Sequence, residues 1–100
     1  METHQRKLLV VITEAAIERL VIQDARRLGA LGYTTSDVRG GSLRGEREGA
    51  WEADRSVELK IVCAVDTADR IAAHLLEQFA PNYAMTIWMA DVQVFRAEKF

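Results

Sequence analysis

The ten residues Ser56–Val65 alternate without a break. Val57, Leu59, Ile61, Cys63 and Val65 fall on one side, and Ser56, Glu58, Lys60, Val62 and Ala64 on the other. A period of two is the mark of a strand with one buried face. Such a strand needs paired neighbours and a layer over its apolar side. The rest of the chain supplies both. Residues 7–12, KLLVVI, form a continuous apolar run rich in β-branched residues, which reads as a strand buried on both faces. Tyr33–Val38 is β-prone and half polar. Tyr83–Phe95 reads as a long strand, with Thr86, Trp88, Ala90, Val92 and Val94 on one face and Met85, Ile87, Met89 and Phe95 on the other.

Two helices complete the pattern. From Glu14 to Leu28, Ile17, Leu20, Val21 and Leu28 recur at helical spacing, with Thr13 available as a cap and Gly29 and Gly32 as stop signals. From Asp66 or Thr67, either of which can cap, to about Phe79, the residues Ile71, Leu75 and Phe79 recur every fourth position. Ala68, Ala72 and Leu76 widen the stripe, and Pro81 follows. The order β-α-β-β-α-β predicts an α+β, ferredoxin-like sandwich, one domain over residues 1–100, with both helices on one face of a four-stranded antiparallel sheet.

That architecture leaves the other sheet face open. The first and last strands carry apolar residues on both sides, so a homo-oligomer is expected in which sheets bury their second faces. The alternative is a monomer with an open face, as in single-stranded RNA binders of this topology. Those stack bases on sheet aromatics in a basic surround. Here the middle strands supply no aromatic pair, and 13 basic against 15 acidic residues leave a charge of −2. Nucleic acid is not expected as a partner.

Between the second and third strands lies Arg39–Arg55, RGGSLRGEREGAWEADR. It shows no apolar periodicity, so neither strand nor helix is expected there. Loops this long in compact domains are usually functional or disordered. Glycines allow backbone N–H groups close to a ligand, Ser42 adds a hydroxyl, and Arg44 and Arg47 offer planar forks for phosphate. The same arginines can equally pair with Glu46, Glu48 or Asp54 in solvent, where a pair contributes little. Trp51 on so polar a loop either packs back on the body or anchors a partner.

Other chemistry has little support. Cys63 is the only cysteine and sits in a strand, which reads as a small buried residue. His4 is expected in a flexible N-terminus and His74 on a helix, without partners suggesting a metal or a nucleophile. No catalytic constellation and no metal site are expected. METHQRK lacks a secretory apolar core and no run reaches a membrane span, so the expected location is cytoplasmic.

The run Tyr33-Thr34-Thr35-Ser36-Asp37-Val38-Arg39-Gly40 resembles the second strand of PII signalling proteins, which carries a T-x-[ST]-[DE]-V-[KR]-G pattern. A long loop follows at the same place, the family's T-loop, here about residues 40–55. The resemblance covers nearly the whole chain, with two departures. Standard nitrogen regulators carry a GDGK-type B-loop before the last strand, whereas this chain has Pro81-Asn82-Tyr83-Ala84-Met85-Thr86. The tyrosine-containing loop segment that those members uridylylate is also missing. The loop spacing, with the later Asn82-Tyr83-Ala84, looks like PII-like proteins tied to bicarbonate transport and carboxysomes.

The resemblance implies a homotrimer with adenine nucleotides, AMP, ADP or cyclic AMP, bound between subunits, and bicarbonate as a possible co-ligand. It implies a non-catalytic sensor whose loop is read by a bicarbonate transporter or another carbon-handling protein. Carried over residue by residue, Thr34 matches a threonine near the nucleotide base, and Val11 and Val62 are expected to pack on the adenine. Gly40 and Gly41 allow close approach, and Ser42, Arg44 and Arg47 hold phosphate oxygens. Without the B-loop lysine, mono- and diphosphates are favoured over ATP, unless Arg39 or Arg96 compensates. The alternatives are a weak nucleotide hydrolase and a CutA-like trimer.

Overall fold

The structure is a computed structural model that describes residues 1–42, 45–47 and 55–100. The elements run β1 His4–Glu14, α1 Glu18–Arg27, β2 Thr34–Val38, β3 Gly40–Ser42, β4 Gly45–Arg47, β5 Ser56–Cys63, α2 Val65–Gln78 and β6 Met85–Val94. Four strands form one antiparallel sheet in the order β2-β5-β1-β6. Both helices lie on one face, and the fold is the expected α+β, ferredoxin-like sandwich.

Register assigns the faces. Leu9 pairs with Ile61 and Met89, Val11 with Leu59 and Ile87, and Thr13 with Val57 and Met85. This set faces the helices; Leu9, Val11, Leu59 and Ile61 build the core with Ile17, Val21 and Ala25 on the α1 side and Ala68, Ile71, Ala72 and Leu75 on the α2 side, Met85 and Ile87 pack against it, and Met89 stays exposed. Burying such side chains contributes about 1.5–3 kcal/mol each. The intervening residues, Leu8, Val10 and Ile12, face away from the helices with Val62, Lys60 and Glu58.

Several local expectations are corrected. β1 is longer than residues 7–12 and includes His4, which pairs with Val94 instead of lying in a free terminus. Thr13 caps no helix; its hydroxyl donates to the carbonyl of Ala84 at 2.7 Å, and the short 3-10 turn Ala15–Ile17 precedes α1. α2 starts at Val65 with Ala64 at its cap position, so neither Asp66 nor Thr67 caps it; Asp66 sits in the first turn, favourable to the helix dipole. β2 is an edge strand, so the long loop joins an edge to its inner neighbour β5. Part of that loop is strand after all: β3 and β4 pair antiparallel, Gly40 with Arg47 and Gly41 with Glu46.

The helices are tied across their outer side. His74 Nε2 and Asp24 Oδ2 lie 2.7 Å apart, and an Arg70 guanidinium N–H donates to the Leu28 carbonyl at 3.4 Å. α1 stops at Gly29, whose φ of +119° suits glycine alone. Among the described residues, no helix is long and apolar enough to cross a membrane.

Candidate functional site

The helix-free sheet face is a grid set by register. One row holds Ala90, Leu8 and Val62; the next holds Trp88, Val10, Lys60 and Thr34; the third holds Thr86, Ile12, Glu58 and Ser36. Residues opposite one another on one face have Cβ atoms roughly 4.5–5.5 Å apart. Neighbouring rows are two residues, or about 7 Å, apart along the strands. The face therefore grades from apolar at Leu8 and Val62 to charged at Lys60 and Glu58.

A cavity of about 270 Å³ opens at the apolar end, lined by Leu8, Gly32, Tyr33, Thr34, Lys60, Val62 and Phe100. Phe100 arrives because the chain folds back after β6. Arg96 takes a left-handed conformation at φ 55°, and the 3-10 turn Ala97–Lys99 follows. An Arg6 guanidinium N–H donates to the Ala97 carbonyl at 3.5 Å and holds that turn near the sheet. On the cavity's charged side, Lys60 Nζ lies 3.3 Å from Glu58 Oε1. A second, more open groove of about 280 Å³ runs along α1, between Glu18, Arg19, Ile22, Gln23 and Arg26, with Tyr33 common to both. It takes no residue from the sheet.

The expected site residues fall into two groups. Thr34 and Val62 line the cavity together. Gly40, Gly41, Ser42 and Arg47 come together as backbone in the β3–β4 hairpin, which continues from β2 beyond Val38. From Thr34 to Gly40 an extended chain covers roughly 20 Å. Arg44 and Trp51 lie outside the described residues, as do the side chains of Ser42 and Arg47. Val11 is a correction: it has no exposed surface and faces the helices, so it cannot touch a ligand on the sheet's other side.

Leu8, Gly32, Tyr33, Lys60 and Phe100 also line the cavity and are not among the expected residues. The alternation in Ser56–Val65 already puts Lys60 on the face of Val62, so that signal was available. Phe100 had none, because its arrival depends on the backbone of Arg96.

The turn before β6 differs in construction from a glycine-rich phosphate loop. The Glu14 carboxylate accepts the Ala84 N–H at 2.7 Å while the Thr13 hydroxyl donates to the same residue's carbonyl. Cys63 is buried and faces the core; burial pushes its thiol up from the usual 9.0, with Arg70 opposing the shift. Among the described residues, no group of three or more His, Cys, Asp or Glu is arranged to hold a metal ion.

A sandwich of this order, with a long loop between an edge strand and its inner neighbour, defines a PII-like fold. Residues 6–99 match the family described as nitrogen regulatory protein P-II, and the chain belongs to that family. It superposes on a PII-like signalling protein from Thermus thermophilus with a TM-score of 0.87 at 32% identity, over 100% of this chain and 99% of the other. CPII from Thiomonas intermedia, solved bound to ADP, AMP and bicarbonate, matches at TM-score 0.80 and 25% identity, covering 99% of this chain and 96% of that one. Another CPII structure, bound to ADP and bicarbonate, shares the fold at TM-score 0.87 and 22% identity, over 99% and 97% of the two chains. Comparison with curated proteins gave no match.

Proposed function

We propose that this chain is a non-catalytic, adenine-nucleotide-binding regulator of the PII-like type, with AMP or ADP as its ligand. The observation that carries the reading is the cavity in which Thr34 and Val62 meet, open on the sheet face that leads toward the Gly40–Gly41 hairpin. Its apolar end suits a base. The loop beginning at residue 40 supplies N–H groups and arginines suited to phosphates. Support also comes from CPII, 25% identical to this chain, whose structure holds ADP, AMP and bicarbonate.

The rest of the reading follows from this. Residues 1–100 act as one PII-like domain that forms a homotrimer, burying the apolar helix-free face that carries the half-exposed Trp88. Nucleotide binds in three clefts between subunits, with Thr34 and Val62 at the base and Gly40, Gly41, Ser42, Arg44 and Arg47 on the phosphates. A ligand that binds one loop conformation better shifts the loop's population, and a partner in inorganic-carbon handling, such as a bicarbonate transporter, reads the loop through Trp51. Bicarbonate is a second effector, and the protein works in the cytoplasm.

Calorimetry with AMP, ADP, cyclic AMP and ATP tests the reading. Micromolar binding of AMP or ADP is expected, weakened by Arg47→Ala. Absence of heat with all four nucleotides refutes it. Repeating the titration with bicarbonate present reads any coupling between the two ligands directly.

A further inference from the structure

We propose that the groove along α1 is a docking surface for an acidic helix of a partner protein, with Arg19 and Arg26 as the cations that meet it. The proposal stands apart from the nucleotide reading, because the groove takes no residue from the sheet.

Three observations support it. The first is geometry. Arg19 and Arg26 are seven positions apart on α1, two helical turns or about 10.5 Å, and so share one face. Ile22 lies between them, and Tyr33, just before β2, lines the groove with it. A second helix laid along α1 repeats this spacing. Two carboxylates at i and i+7 reach the two arginines, and an apolar side chain at i+3 or i+4 covers Ile22 and Tyr33. The groove, about 280 Å³, has room for that side chain.

The second is charge. The Arg19 and Arg26 side chains make no hydrogen bond or ion pair among the described residues, whereas the neighbouring Arg27 lies 3.8 Å from Asp24. Two unpaired guanidiniums on one helix face suit carboxylates in planar, two-pronged geometry. Glu18 is the one acid among the described lining residues. It repels a carboxylate placed beyond Arg19, which confines the partner's acids to the two arginine positions. The third is exposure. Arg19, Gln23 and Arg26 are exposed, Tyr33 is 44% exposed, and Ile22 forms a floor packed against the core. Tyrosine and arginine around an apolar floor are the residue types that carry binding energy between proteins. An anionic membrane is a poorer match, since it calls for a cluster of about four to eight basic residues.

The probe is a stapled, dye-labelled alanine helix with glutamates at i and i+7 and a leucine at i+4, titrated into the full chain by fluorescence anisotropy. A second helix carries lysines for the glutamates, and a third carries alanine for the leucine. The acidic helix should bind, the lysine helix should not, and loss of the leucine should weaken binding about fivefold. Arg19→Glu combined with Arg26→Glu should weaken the acidic helix at least about tenfold and create binding of the lysine helix. A variant that only disturbed α1 would lose the first without gaining the second, and circular dichroism melts run in parallel. The neutral pair Arg19→Gln and Arg26→Gln should abolish the preference for the acidic helix. Lys99→Glu, which does not line the groove, should leave its affinity within about twofold. No binding of the acidic helix at about 1 mM, equal binding of the acidic and lysine helices, or a preference that survives both arginine pairs overturns the proposal. Binding to phosphatidylserine vesicles without binding of the acidic helix overturns it in favour of a membrane surface.

Discussion

The carboxylate of Glu14, the last residue of β1, accepts the backbone N–H of Ala84 at 2.7 Å. Thr13 beside it donates its hydroxyl to the carbonyl of the same Ala84. Both polar backbone groups of one residue are thus satisfied by two side chains 70 and 71 positions away in sequence. The turn from Pro81 to Ala84 is clamped to the sheet from outside, without a glycine. Glu14→Ala should destabilise the fold by about 1 kcal/mol, since hydrogen bonds to charged groups exceed that figure but this one is solvent-exposed. Thr13→Val, which keeps the shape and removes the hydroxyl, should cost about as much. Because both act on Ala84, the double variant should depart from additivity. Urea denaturation of the four proteins measures this, and a strictly additive result would mean that the two bonds do not form one clamp.

Gly29 ends α1 at a φ of +119°, where an L side chain is strained. An added Cβ would sit 3.4 Å from Thr67 Cγ2 and 3.6 Å from Thr67 Oγ1, which is ordinary contact. The cost of Gly29→Ala is therefore backbone strain, not collision. It should be about 1–2 kcal/mol. Gly32→Ala is the control, because nothing lies within 4 Å of a Cβ there. A thermal melt in which both variants shift equally would contradict the assignment.

Cys63 lies against the helices, and its burial raises the thiol pKa above 9.0, with Arg70 pulling weakly the other way. The sign of the pH effect follows from the proton count. As pH climbs past the ordinary thiol range, the unfolded chain loses its proton first, while the folded chain keeps it. Folding stability should therefore be intact below about pH 8.5 and decline as pH rises toward the folded value. The same burial should make iodoacetamide modification slow in the native protein and fast in urea. Equal rates in both conditions would show that the thiol is open to solvent.

Much of the architecture was legible because Ser56–Val65 states its own faces. Lys60 and Val62 had to share a side, whatever the strand order. KLLVVI carries no such statement: with apolar residues at nearly every position, parity is undetermined, and nothing in it tells whether Val10 or Val11 shares a side with Val62. Register resolves it, because Val11 pairs with Leu59, whereas its neighbour Val10 pairs with Lys60. Thr13 failed as a cap for a different reason. A hydroxyl beside a helix start can serve a cap or a distant carbonyl, and the tertiary partner Ala84 won. Strand order is also a non-local fact, although the half-polar YTTSDV is what an edge strand can tolerate. Phe100 was illegible because it depends on the left-handed backbone of Arg96.

Trp88 separates the oligomer from its alternatives. It is 46% exposed on β6, on the helix-free face, directly opposite Val10, which is 3% exposed. An indole beside a buried valine, with Ala90 and Val92 farther along the same face, is the kind of apolar surface that a second copy covers. Under the proposed trimer, sedimentation should give three chain masses. Trp88→Glu places a charge where the neighbouring sheet would bury it and should give one chain mass, whereas Trp88→Phe keeps the apolar contact and should remain trimeric. The described residues lining the cavity lie outside this substitution. A cleft shared between copies would therefore reveal itself through affinity. If a neighbour supplies the second wall, dissociation by Trp88→Glu should weaken ADP at least tenfold although Leu8, Thr34, Lys60 and Val62 are untouched. Monomers that bind ADP as tightly as the parent would show that one chain holds the nucleotide alone, and the intersubunit placement would then be wrong.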